Sequence, residues 1–410
     1  MSLAEPRTLL ERLIAEGAHT WQEIETRFNR RAEARGERVS LTWRHLQRIA
    51  AGEVGRPRPI VARVLADLFG HPVEDLLGPP AGPAPGPRGH EAGADPLDRL
   101  LHLRLGVPDT GRVGRAEVEQ VRFLTASIAA QENVFGGGCA TETGPAALRW
   151  STALLSARAD TDVRAELHEA VGNLASVVAF VAFDIGDHTA AAQLSSAALW
   201  CAEQSGSWPL RAAVLADTAR RHLAAGRLDE ALSAVEFARV REDRLTATGR
   251  ASVAVLRAQV LSAMSRYDDA RAEVDRADAE FAHRDPVADQ PWLTYYDEAE
   301  HAGSTAKALI PLDVLAGRPG IAAERLAEAV ARQRAGYPRS RAFSATRLAV
   351  LQLRIDDPRR AVRTARPVVD DAGTVRSRRL RDHLGELARA CRPHRRIAEV
   401  RDLAADLAHA

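Results

Sequence analysis

The cations of this chain are almost all arginine: of 56 basic residues only Lys307 is a lysine. Guanidinium forks suit two-pronged recognition of phosphate and carboxylate, although a codon bias toward arginine gives the same count. Two stretches concentrate them. Between Arg27 and Arg63, ten arginines (27, 30, 31, 35, 38, 44, 48, 56, 58 and 63) stand against Glu33, Glu37 and Glu53, a local excess of seven charges. Between Arg339 and Arg381, twelve arginines stand against Asp356, Asp357, Asp370 and Asp371. This second stretch reads either as exposed helix faces or as a surface for phosphates or an anionic ligand. Two further segments set polar groups beside apolar surface. Phe183-Asp184-Ile185-Gly186-Asp187-His188 ends the longest apolar run, Leu174 to Phe183, and makes Asp184 either a helix-end cap or an effector contact. Pro291 to His301 carries Trp292, Tyr295 and Tyr296, followed at once by Asp297, Glu298 and Glu300. Amphipathic rings beside acids suit the wall of an effector pocket, with Asp297 as a polar contact. The same i, i+3, i+4 ring spacing equally suits a helix packed into a core.

Catalytic motifs are missing from the sequence. A P-loop needs Gly-Lys before Ser or Thr, whereas the single lysine stands between Ala306 and Ala308. There is no HExxH, no GxSxG and no GxGxxG opening a helix, and Gly136-Gly137-Gly138-Cys139 reads as a glycine turn. Cys139, Cys201 and Cys391 are isolated thiols without zinc-ligand spacing. The expectation is a protein that is not an enzyme, has no cofactor or metal, and resides in a reducing cytoplasm. The opening residues lack the basic and apolar regions of a signal peptide. The apolar run is shorter than the ~20 residues of a membrane span, which predicts a buried helix and no membrane partner. A net charge of +1 leaves no bulk field to drive nucleic-acid binding, so local charge must carry that argument.

The elements that position these residues are helical. A composition of 46% hydrophobic, 27% charged and 5% aromatic residues excludes disordered and collagen-like chains and favours an all-α protein. Residues 7–16 predict a first helix with Leu9, Leu10, Leu13 and Ile14 on one face. Thr20-Trp21-Gln22-Glu23 has the capping-box form at the start of a second. Ser40 is a candidate cap for a third helix, Leu41 to Ala51, stopped by Gly52. Pro59 opens a fourth and Val73 to Leu77 a short fifth. Five short helices with a tight turn between the second and third predict a helix-turn-helix DNA-binding domain over residues 1–78. Proline and glycine from Gly78 to His90 predict a linker over residues 79–95.

Residues 96–410 follow helical periods. The turns Gly186-Asp187, Gly226-Arg227, Ser265-Arg266, Gly317-Arg318 and Asp356-Asp357 recur about 40 residues apart, with one longer interval of about 52 before Gly317. Helix pairs that cannot bury their apolar stripes alone stack into an α-solenoid. Joined to a DNA reader, it is expected to sense an effector and mediate dimerisation.

Within the third helix, Thr42, Trp43, Arg44 and Gln47 stand where a recognition helix first enters the major groove. Arg44 suits a two-pronged bond to guanine and Gln47 one to adenine, while Gln22, Ser40 and Arg48 are suited to phosphates. Trp43 is either a contact to a thymine methyl or a core aromatic. Here the sequence resembles the XRE (lambda-repressor-like) helix-turn-helix family. The resemblance is carried by Trp21-Gln22-Glu23-Ile24, Val39-Ser40, Leu46-Gln47-Arg48-Ile49-Ala50-Ala51-Gly52-Glu53, Arg56-Pro57-Arg58-Pro59-Ile60 and Leu65-Ala66-Asp67-Leu68-Phe69-Gly70. Ile49 and Ala50 depart from it, standing where the family has Trp and Glu.

The body resembles tetratricopeptide repeats, with small Ala positions and a longer period than usual. As a whole the chain is similar to actinobacterial regulators with an XRE-type head and a degenerate tetratricopeptide body. That likeness rests on Gly136-Gly137-Gly138, Leu148-Arg149-Trp150, Phe183 to His188, Trp292 to Glu300, Arg339-Ser340-Arg341-Ala342 and Pro393-His394-Arg395-Arg396. It implies transcriptional control; paired heads reading two half-sites predict a homodimer on double-stranded DNA, with a small molecule, a peptide, a protein or no effector at all as the alternatives for what it senses. Related peptide-sensing regulators clamp the peptide backbone with asparagines, and this chain has only Asn29, Asn133 and Asn173. The alternative is a protein-interaction adaptor whose helix-turn-helix head is structural.

Overall fold

The computed structural model describes residues 7–16, 20–34, 37, 39–54, 57–69, 71–79 and 111–408. These are all-α: the only β-type contact among the described residues is a single bridge between Arg112 and Arg158. The chain divides into two compact units, residues 1–106 and 107–410. All of the expected linker except Pro79 lies outside the described residues.

The first unit contains α1 (Leu9–Glu16), α2 (Trp21–Ala34), α3 (Trp43–Ala50), α4 (Pro59–Phe69) and α5 (Val73–Leu76). The expected capping box opens α2: the Thr20 N–H donates to Glu23 Oε2 at 2.8 Å, and the Glu23 N–H to Thr20 Oγ1 at 3.3 Å. Leu10, Ile14, Ile24, Phe28, Leu46, Ile49 and Leu65 form one core. Ile49 and Ala50, the departures from the XRE pattern, are both fully buried in it. The third helix starts two residues later than Ser40 predicts. The Asn29 amide holds Leu41 extended by accepting from its N–H at 3.0 Å and donating to its carbonyl at 3.1 Å. Glu25 then accepts from the Trp43 N–H at 2.8 Å, supplying from α2 the anion that a local cap would provide.

The second unit runs through α6 (Arg115–Phe135), α7 (Thr143–Leu154), α8 (Thr161–Ile185), α9 (His188–Ser205), α10 (Trp208–Ala224), α11 (Leu228–Ala238) and α12 (Ala247–Ala263). It continues through α13 (Tyr267–Phe281), α14 (Glu298–Ala316), α15 (Ile321–Arg332), α16 (Pro338–Ile355), α17 (Pro358–Asp371), α18 (Arg378–Ala390) and α19 (Ala398–Asp406). Each of the five predicted turns separates a packed pair: α8 with α9, α10 with α11, α12 with α13, α14 with α15, and α16 with α17. Four of them reverse through a left-handed residue, Gly186, Gly226, Ser265 or Gly317. The longer interval is filled by residues 282–297, which form turns and the short 3₁₀ segment Pro291–Leu293. The Leu174–Phe183 run lies in α8, most of it buried. That helix is long and apolar enough to cross a membrane, and 72% of its apolar window is buried inside the unit.

The even-numbered helices form an inner row in which α8, α10, α12, α14, α16 and α18 each pack on the next. The row closes on itself, because α6 packs on both α8 and α16, and α18 packs on α8. The seam is built from backbone and buried charge. The Arg376 N–H donates to the Phe135 carbonyl at 2.7 Å, and the Gly138 N–H returns to the Arg376 carbonyl at 3.0 Å. A Cβ on Gly136 would stand 2.7 Å from the Arg376 carbonyl oxygen, and one on Gly137 2.8 Å from that of Val181. Only glycine permits so close an approach, and Gly136 also has φ of +81°.

Candidate functional site

On α3 the exposed residues Arg44, Gln47 and Arg48 share one face at i, i+3 and i+4. Thr42 and Ser40 are exposed just ahead of the helix, and Gln22 is exposed one turn before Glu25, the residue that caps α3. Trp43 is half-buried and stands outside the apolar core, with the Arg44 guanidinium 5.2 Å above its ring. Several neighbouring arginines are tied to acids: Arg31 to Asp67 at 2.5 Å, Arg63 to Glu37 at 2.8 Å, and Arg48 loosely to Glu53 at 3.8 Å. The fold therefore gathers the seven candidate nucleic-acid contacts at and around the start of α3, with Arg44 not held by any carboxylate among the described residues.

The second unit encloses a cavity of about 730 Å³ along its inner row of helices. Its wall is contributed by α6, α8, α10, α12, α14, α16 and α18 together with Pro291 to Tyr295. One side is apolar, formed by Val177, Leu210 and Trp292, while Phe180 lies under the Arg339 and Arg379 guanidiniums. Trp292 also packs on the cluster of Ala175, Ala198, Leu210 and Val214 that holds it in place. Tyr295 lies beside the Arg220 guanidinium, which Asp217 grips at 2.7 Å. Burial would lower the Arg220 value, but the electrostatic pull of Tyr295, Asp217 and Glu300 prevails and raises it.

The other side is cationic. Lys307 from α14, Arg347 from α16 and both Arg379 and His383 from α18 line it. Three of these surround one ring: Arg347 lies 5.5 Å from the Phe343 centroid, Arg379 5.2 Å and the His383 ring 5.1 Å. The Lys307 ammonium donates to Gln259 Oε1 at 3.0 Å. Burial holds it well below its ordinary value, helped by Arg347, Arg379 and Arg220 and opposed by Glu300. Burial, with Arg339 and Arg347 nearby, lowers Arg379 to about 10 despite Asp184 and Glu132. Burial also lowers Arg347.

The effector candidates divide. Trp292 and Tyr295 line the cavity, whereas Tyr296 is buried against Phe281 and His301, its hydroxyl 3.1 Å from His301 Nδ1. Asp297 caps α14 by accepting from the Glu300 N–H at 3.0 Å and pairs with Arg334 at 2.8 Å. Asp184 belongs to the seam. It is fully buried and accepts from the Gly137 N–H and the Ser377 hydroxyl, both at 2.9 Å. It also lies 3.1 Å from Arg339, which bridges to Glu132. The Arg339–Arg381 stretch divides too: Arg339, Arg347 and Arg379 line the cavity, while Arg354, Arg359 and Arg366 pair outside with Glu386, Glu399 and Asp406.

Lys307 was not singled out by its local sequence, an Ala-rich helix segment. Its one signal was being the sole lysine in an arginine chain. Cys201 and Cys391 are buried, and burial pushes both thiols up to about 11; Cys139 is exposed. Among the described residues no group of three or more His, Cys, Asp or Glu side chains is arranged to hold a metal ion. No known family model matches the chain, and no curated protein matches it either.

Proposed function

We propose that the protein is a sequence-specific DNA-binding transcriptional regulator. Its first unit acts as a helix-turn-helix head, and its second as a tetratricopeptide-like solenoid that takes an effector and pairs two chains. The observation that carries the reading is the α2–α3 junction. Asn29 and Glu25 fix the entry into α3, so that Arg44, Gln47 and Arg48 stand together on its exposed face with Thr42 at its start. Arg44 and Gln47 have the donor and acceptor patterns that read guanine and adenine edges, and Gln22, Ser40 and Arg48 are suited to flanking phosphates. Two such heads in a homodimer would read two half-sites on duplex DNA.

The test is titration of the full chain onto labelled DNA from upstream of its own gene and onto scrambled DNA, at two salt concentrations. A regulator prefers the upstream fragment, and the preference survives higher salt while non-specific affinity falls. Arg44→Ala with Gln47→Ala removes that preference, each substitution costing about 1–3 kcal/mol of discrimination at the base it reads. Unchanged discrimination by the double variant sinks the assignment of these residues.

A further inference from the structure

The charges around the cavity are matched unevenly. Glu132 and Asp184 are met by Arg339 and, at 3.8 Å from Asp184, by Arg379, and Asp217 is met by Arg220. Lys307 and Arg347 are left without an ion-pair partner among the described residues, with Arg379 beside them on the Phe343 ring. Arg347 has no hydrogen bond or ion pair among the described residues and lies against the Phe343 ring. Arg379 sits against the faces of Phe180, Phe183 and Phe343, and its nearest carboxylate oxygen, on Asp184, is 3.8 Å away and already bonded to Ser377 and paired with Arg339. The sole hydrogen bond of Lys307 goes to a neutral amide.

Glu300 also lines the cavity and attracts both Lys307 and Arg347, but it pairs with neither; it is bonded to Ser304 and stands two helical turns before Lys307 on α14, a rise of roughly 10 Å. The lining also contains Asp382, exposed and without a partner among the described residues. Three like charges converging in a partly dehydrated space repel one another and lose solvation. An anion placed among them relieves both costs. Val177, Leu210 and Trp292 add apolar surface to the same lining, and the volume matches a ligand of drug-like size.

We propose that this cavity binds a small amphipathic anion, its carboxylate or phosphate head held by Lys307, Arg347 and Arg379 and its apolar body lying against Val177, Leu210 and Trp292. The inference deepens the effector part of the proposed function and is independent of DNA recognition. Asn133 and Asn173, whose amides line the same space and have no hydrogen-bond partner among the described residues, supply further polar contacts for the ligand. Burial first, and the neighbouring cations second, hold Lys307 and His383 low, so an anion in the site favours their charged forms.

Calorimetric titration of the full chain with 2-naphthylacetate, 1-naphthyl phosphate and the neutral 2-naphthaleneethanol tests this. At least one anion binds one per chain and at least tenfold more tightly than the alcohol, and the stronger of the two identifies the head group. Lys307→Met and Arg347→Ala each weaken that anion at least tenfold, while helical circular dichroism and melting confirm that the variants fold. Trp292→Ala weakens the anion with all three head cations in place. The idea is overturned if neither anion outbinds the alcohol, or if folded Lys307→Met and Arg347→Ala bind the anion as the parent does. DNA retardation measured in parallel separates the two readings: loss of anion binding with DNA binding intact concerns the cavity alone, and the Arg44 and Gln47 variant has the opposite pattern.

Discussion

At the scale of single residues, His383 and Asp278 carry opposite kinds of information about protons. Burial, reinforced by Arg347, Lys307 and Arg379, holds His383 down at about 3. A histidine with a depressed folded value gains its proton on unfolding, so its contribution to stability is complete above its ordinary 6.5 and declines as pH falls toward 3. Urea unfolding of His383→Gln should therefore lose stability less steeply between pH 6.5 and 4 than the parent does; parallel curves would show that the ring is already protonated in the folded chain. Asp278 acts lower on the scale. Burial would raise its carboxyl, but hydrogen bonds from His301 at 2.8 Å and Arg325 at 2.5 Å, with the arginine charge, hold it at about 2. Its contribution is present above the ordinary 3.8 and lost as pH falls through about 2, so Asp278→Asn should flatten the stability curve only below pH 4. Neither environment is legible from local sequence. Phe343, Arg347 and Lys307 reach His383 from helices distant in the chain, and Arg325 reaches Asp278 from α15.

At the scale of elements, the recurring turn is where sequence and structure agree most closely. Gly186, Gly226 and Gly317 occupy left-handed conformations that glycine adopts without penalty, and their spacing alone located the helix pairs. Ser265 takes the same role with φ of 60°, a conformation that costs an ordinary residue roughly 1–2 kcal/mol. Part of that is returned by the greater freedom glycine has when unfolded. Ser265→Gly should stabilise the chain by about 0.5–1 kcal/mol in denaturant unfolding; a loss of stability would mean that the serine side chain does more than occupy the turn. The elements that sequence misplaced are those fixed from elsewhere. α3 begins at Trp43 because Asn29 and Glu25, on another helix, determine its entry, and no local cap signals that. Trp292 to Tyr296 has helical ring spacing yet forms a 3₁₀ segment and a turn, because Trp292 is drawn into the α8–α10 wall while Tyr296 packs under α13.

At the scale of the whole helical-repeat unit, the closure of the inner row departs from what a repeat sequence implies. A solenoid read from its repeats is a line of nearest neighbours, and nothing in an isolated repeat announces that the last must meet the first. The motifs that looked unrelated in sequence, Gly136-Gly137-Gly138, Asp184 and Arg339, are the two sides of one seam. Arg339→Met should expose its importance: it leaves Glu132 and Asp184 buried without their cation, at a cost of about 3–5 kcal/mol. Differential scanning calorimetry should show a large loss in melting temperature, and a shift within experimental error would demote the seam to a passive contact. The seam also sets a schedule for synthesis. Arg339 follows Glu132 by 207 residues, and at the usual pace of translation, about 5–20 residues per second, Glu132 waits roughly 10–40 s for its partner to be made. Throughout that interval the nascent repeats have one unsealed end, and the chain depends for its first half-minute on helix pairs that must hold together without the ring they will eventually complete.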